Sequence, residues 1–182
     1  MKALALDLSL TGTGICTPDG RTLTIHTKLR GLERIGRIRS DIFETLTAHR
    51  PGIVAIEGYS YASKGRSSIS LGELGGVIRW ELWRNHWLYV DIPPACRAKY
   101  ATGRGNAPKD LVLQHACTRA GRVFEDNNQA DAWWLHQMAL AHYAPDDPLC
   151  VSMPVVNRRG LAGVDWPEIA GFDPPPYQGG TK

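Results

Sequence analysis

Residues 3–14 read ALALDLSLTGTG, and the rest of the chain is organised around them. An apolar run goes straight into Asp7, and small or hydroxylated residues then take over: Ser9, Thr11, Gly12, Thr13 and Gly14. A carboxylate at the end of a buried run is costly unless it is paired or holds a cation. The glycines leave space beside it. Two readings are open at this point. One is a strand ending in a hairpin with an exposed Asp; the other is a strand that delivers a carboxylate to a site.

Residues 11–17 and 21–27 flank Pro18-Asp19-Gly20, a turn signal, and with residues 2–8 they predict a three-stranded antiparallel meander. Leu32, Ile35, Ile38, Ile42 and Leu46 follow helical spacing, on a segment that also carries Arg30, Arg34, Arg37 and Arg39; Pro51-Gly52 ends it. The run 53–56 stops at a second acid, Glu57. A polar loop over 59–68, a helix over 68–85 and a fifth strand over 87–92 follow. Residues 93–107 read as a basic loop, 108–120 as a helix opened by Pro108, and 126–143 as a long apolar helix. This order predicts an α/β layer structure. Seven of the twelve prolines fall in 145–182, so the expected division is a domain over 1–144 and an extended or partly ordered tail over 145–182.

Composition excludes several classes. An apolar fraction of 43% supports a sizeable core, and the six Trp are expected to pack in it. A net charge of +3 is too small to mark a nucleic-acid partner, so a basic patch must be local. No apolar run approaches spanning length and no cleavable signal opens the chain, which makes the cytoplasm the expected location. The four cysteines have neither CxxC nor Cys/His spacing, so free thiols are expected rather than zinc or disulfides.

Asp7 and Glu57 each close an apolar run. On paired strands about 4.8 Å apart, both carboxylates reach one point. A third acid, Asp131, lies inside the apolar helix with no local partner. Three such acids are tolerated if a divalent cation sits between them, and carboxylate oxygens suit Mg²⁺ or Mn²⁺. The implied chemistry is two-metal phosphoryl transfer. Asp126 and Gln129 form a capping-box pattern. Asn128 precedes Asp131 by three residues, roughly 60° away around the helix, and could offer its amide oxygen to the same metal.

These stretches together resemble the RuvC-type Holliday junction resolvases of the ribonuclease H-like superfamily, in their phage-encoded form. The resemblance rests on Asp7-Leu-Ser-Leu-Thr-Gly12 with Gly14, on Ala55-Ile-Glu57, on SISLGELGGV at 68–77, and on Ala130-Asp131-Ala132, in the family's order and spacing over residues 2–143. It implies a five-stranded mixed sheet with helices on both faces, and Mg²⁺ ligation by Asp7, Glu57 and Asp131. It also implies a homodimer that packs through the helix bearing Leu71, Gly72 and Gly76 and nicks two opposed strands of a four-way junction. The family often has an acid or His where this chain has Asn128, so either Asn128 serves or Asp126 swings in.

Candidate DNA-facing residues are read from local charge and aromatic content, with the resemblance adding to them. Residues 95–110, ACRAKYATGRGNAPKD, set Arg97, Lys99, Arg104 and Lys109 against the single acid Asp110. Lys109 matches a family lysine near the active site, and Lys99 matches an earlier one if one residue is deleted. Tyr59 or Tyr61 could stack on an unpaired base, and Lys64 and Arg66 could contact phosphates. Two further readings remain: a junction-binding protein with weak or no cleavage, and an actin-like nucleotide enzyme suggested by Asp7-x-Ser9-x-Thr11-Gly12.

Overall fold

The computed structural model describes residues 1–59, 66–145 and 152–169, with side chains undescribed at 66–68. Strands β1 (Ala3–Asp7), β2 (Thr13–Cys16), β3 (Thr22–Ile25), β4 (Ile53–Glu57) and β5 (Tyr89–Ile92) form one sheet in the order β3-β2-β1-β4-β5. β1–β2 and β2–β3 are antiparallel, while β1–β4 and β4–β5 are parallel. The meander and the mixed sheet are as expected.

The composition of β1 explains the two layers. Its side chains alternate between small and large, and alternate residues of a strand face opposite sides. Ala3 and Ala5 join Ile53, Ala55, Val90 and Ile92 in one core. Leu4, Leu6, Val54 and Ile56 join the other. On the Ala side lie α3 (Pro94–Thr102), α4 (Lys109–Ala120) and α5 (Asn127–Tyr143). On the Leu side lie α1 (Gly31–His49) and α2 (Arg66–Arg84). α1 buries Ile35, Ile38, Ile42 and Leu46, one apolar residue per turn, and ends at Arg50 in the left-handed region just before Pro51. Leu32, expected in that stripe, is exposed because it precedes the helix's contact with the sheet.

Two expectations are corrected. The basic stretch 93–107 is not a loop: Pro94–Thr102 is helix, started by Pro at its first turn and stopped by Gly103 at φ +81. Its Ala98, Tyr100 and Ala101 face the core, an apolar face hidden in the sequence by Lys99 among them and Arg97 just before them. The six Trp do not share one role either. Trp133 and Trp134 are buried, but Trp80 and Trp83 on α2 face outward. Within 145–182, read as an extended or partly ordered tail, residues 152–169 are described. A short helix α6 (Val155–Arg158) and a 3₁₀ turn over Leu161–Gly163 pack Met153, Leu161 and Val164 into the core. Asn157 Nδ2 donates to the Tyr100 carbonyl at 2.8 Å, and Trp166 stacks on His142 with ring centroids 4.4 Å apart. Cys16, Cys96 and Cys117 are free thiols; Cys150 lies outside the described residues. No helix among the described residues is long and apolar enough to cross a membrane.

Candidate active site

The two-residue period that puts Ala5 and Ala55 side by side on the α5 face also places the next odd residues, Asp7 and Glu57, on that face. Both stand at the carboxyl ends of central parallel strands, where open α/β sheets form crevices. Asp131 comes from the second turn of α5, between Ala130 and Ala132, and is buried. α5 can lie so close because β2 has a glycine beneath it. A Cβ at Gly14 would stand 2.1 Å from the Asn128 carbonyl oxygen, so any side chain there would drive the helix start off the sheet.

The residue that joins the acids is Arg97. It projects from the first turn of α3, is only 6% exposed, and donates through Nε to Glu57 Oε1 at 2.6 Å. Its Nη1 donates to Asp131 Oδ1. Burial raises the Asp7 carboxyl well above the ordinary range, and the Glu57 and Asp131 charges push it further up, against the Arg97 charge. Burial likewise lifts Asp131 to about 6, with Arg97 and Lys109 opposing. Burial alone would lower the Arg97 guanidinium, but the Glu57 and Asp131 charges outweigh it and the net shift is upward. Sequence reasoning counted Arg97 among DNA-facing cations. Its true place depends on contacts 40 and 34 residues distant, for which no local signal exists.

These residues border a cleft of about 610 Å³, lined among others by Asp7, Glu57, Tyr59, Arg79, Arg97, Lys109 and Asn128. Asp131 is not among its lining residues; Arg97, which holds Asp131, is. Asn128 faces the cleft, whereas Asp126 is committed elsewhere. Asp126 caps α5, accepting from the Gln129 amide and from Thr24 Oγ1, both at 2.8 Å. Lys109 opens α4 at the cleft and is near enough to depress Asp131. Lys99 and Arg104 do not line it. Tyr59 lies under the Arg79 guanidinium, 4.6 Å from its ring centroid, and its hydroxyl donates to the Gly72 carbonyl. Arg79, which sequence reasoning missed, also pairs with Asp91. Tyr61, Lys64 and the Arg66 side chain lie outside the described residues.

Hard oxygen donors (three carboxylates and one amide oxygen) match the chemistry of a magnesium-type site. Among the described residues no three acidic, His or Cys side chains close on one ion-sized point; the Arg97 guanidinium holds the centre.

Sheet order, helices on both faces and acids at the ends of β1 and β4 define a ribonuclease H-like fold. The solved RuvC of Thermus thermophilus shares it. The chain superposes on that protein's structure with a TM-score of 0.61 at 20% identity, covering 78% of this chain and 95% of that one. On the same organism's RuvC in complex with a Holliday junction substrate the TM-score is 0.63 at 18% identity, covering 96% and 99%. The chain belongs to the RuvC family of crossover junction endodeoxyribonucleases. It is 30% identical over 176 residues to the RuvC of Pelodictyon phaeoclathratiforme, covering 91% of this chain and 90% of that one. It is 30% identical over 140 residues to that of Mannheimia succiniciproducens, covering 73% and 69%. No protein-family model matches the chain. With membership in this family, the actin-like reading of residues 7–12 is set aside.

Proposed function

We propose that this chain is a structure-selective endonuclease that nicks four-way DNA junctions in the cytoplasm by metal-assisted phosphodiester hydrolysis. The observation that carries the reading is the gathering of Asp7, Glu57 and Asp131, from β1, β4 and α5, into one charge network beside an open cleft. Asp7, Glu57, Asp131 and the Asn128 amide oxygen would hold Mg²⁺, with Mn²⁺ as a substitute. Bound there, the ions would activate a water and neutralise charge on the scissile phosphate.

The chain's own groups then have distinct tasks. Lys109 presents an ammonium at the cleft, where a strand's phosphate would lie. Tyr59 offers the ring face opposite the Arg79 guanidinium that covers it for an unpaired base. Lys99 and Arg104 would contact DNA outside the cleft, and Tyr61, Lys64 and Arg66 would add further DNA contacts. A four-way junction presents two equivalent strands, and a two-fold dimer meets both. The outward face of α2 supports that assembly. Ile69, Gly72, Gly76, Trp80 and Trp83 recur at helical spacing, the four-residue Gly72–Gly76 step carries no side chain to hold a second helix away, and the large members are exposed. Leu71, by contrast, packs inward and serves the core.

A junction-binding protein with weak cleavage is the second reading, favoured by the neutral Asn128 and by Arg97 at the centre of the acids. Incubation with four-way junctions, forks, flaps and linear duplex, with Mg²⁺ and with Mn²⁺, separates them. Nicks in the four-way junction support the enzyme. Binding without nicks in either metal supports the second reading.

A further inference from the structure

Arg97 has no task in the hydrolysis just described, yet it is the most deeply buried cation of the site. Its guanidinium bonds one oxygen of Glu57 and one of Asp131, and it lines the cleft while Asp131 does not. Buried carboxylates without a cation are strongly unfavourable, and Arg97 supplies these acids with a positive charge from within the chain. A divalent ion would address the same oxygens. It and a guanidinium a few ångströms apart repel each other in a low-dielectric pocket.

Resting on the reading of Asp7, Glu57 and Asp131 as metal ligands, we propose that Arg97 is a displaceable internal counter-cation, seated between Glu57 and Asp131 without metal and driven out of that seat by metal binding. Its path out is the cleft it already lines, where Tyr59, Arg79 and Lys109 also lie. There a freed guanidinium is suited to grip a phosphate through two parallel hydrogen bonds. Metal loading of DNA-free protein is then weakened by the chain itself, and phosphate in the cleft strengthens it by giving Arg97 a second partner. Arg97→Lys does not substitute, since an ammonium cannot bridge both carboxylates in the planar fork.

The test uses the full chain and Mn²⁺ without DNA. Calorimetric titration of wild type and Arg97→Met is expected to show Mn²⁺ bound on the order of tenfold more tightly by the variant, the gain expected from removing a nearby like charge. The metal-free variant is expected to melt at a lower temperature than metal-free wild type. In wild type alone, the Arg97 Nε–H resonance is expected to move on Mg²⁺ addition, and this holds the test open should the variant fail to fold. Equal Mn²⁺ affinities, or an Nε–H resonance unmoved at saturating Mg²⁺, would overturn the displacement. No metal bound by either protein would overturn the ligand reading beneath it.

Discussion

Arg97 Nε lies 2.6 Å from Glu57 Oε1, so the first turn of α3 is tied to the carboxyl end of β4 through the site itself. The pair is almost sealed from water on the arginine side and more open on the glutamate side. A buried ion pair of this kind adds little net stability, but losing one partner is expensive because the other charge is stranded. The site is therefore held together by charges that the proposed metal would reorganise.

Metal-free protein should lose stability as pH rises. Asp131 moves from its usual 3.8 to about 6, and Asp7 moves in the same direction, both mainly through burial. A raised folded-state value means that the folded chain binds the proton more tightly than the unfolded chain. That contribution is full below about pH 4 and is lost as pH climbs through about 6. Melting in chelator should show a falling transition temperature across this window. Asp131→Asn should flatten the fall, and Mg²⁺ at pH 8 should restore part of it. A wild-type temperature that rises through the window without metal would contradict the account.

The docked segment should respond in the opposite sense. Burial lowers His142 to about 4 from 6.5, where it stacks on Trp166. Protonation is therefore resisted in the folded state, and the stability this His contributes is lost as pH falls from 6.5 through 4. Trp166 fluorescence, read in a His142→Phe background for comparison, should change across that range in wild type only. Identical acid titrations in both proteins would separate His142 from the docking of residues 152–169.

Gly14→Ala should be strongly destabilising. The added methyl meets the Asn128 backbone, which has no rotamer to give. Overpacking of this kind costs about 1–3 kcal/mol. The variant's denaturation midpoint should fall accordingly, and nicking should fall further than stability because Asn128 and Asp131 ride on the displaced helix start. A midpoint within error of wild type would place the helix elsewhere.

How much of this was readable in advance follows the range of the contacts involved. Apolar runs ending at Asp7 and Glu57, and the Asp126–Gln129 cap, are local patterns, and strands and helix start appear where those patterns put them. α3 was hidden because its three core residues are Ala98, Tyr100 and Ala101, preceded by Arg97 and interrupted by Lys99. Glycines at 103 and 105 also gave the stretch a loop-like look. The packing of residues 152–169 was hidden for a similar reason: prolines dominate the stretch, while its anchors, Met153, Asn157, Leu161 and Trp166, are too sparse to form a period. The α2 glycines were legible as small residues; that two exposed Trp extend their face was not, because Trp composition alone favours burial.

That face gives a direct test of assembly. Trp80 and Trp83 are 53% and 69% exposed, so changing both to Glu should leave monomer stability within about 0.5 kcal/mol. Sedimentation velocity at micromolar concentration should show a dimer for wild type and a monomer for the double variant. Equal sedimentation of the two would remove α2 from the interface.

The central claim is that three separated carboxylates form one metal-dependent cutting site. Its most direct measurement is strand cleavage of a synthetic four-way junction by wild type and by Asp7→Asn, with Mg²⁺ and with chelator. Wild type should nick opposed strands only with Mg²⁺, and Asp7→Asn should bind the junction yet cleave it at least ~10³-fold more slowly, as expected when a group that orders the metals is lost. Undiminished cleavage by Asp7→Asn, or an intact junction with wild type in both Mg²⁺ and Mn²⁺, would contradict it.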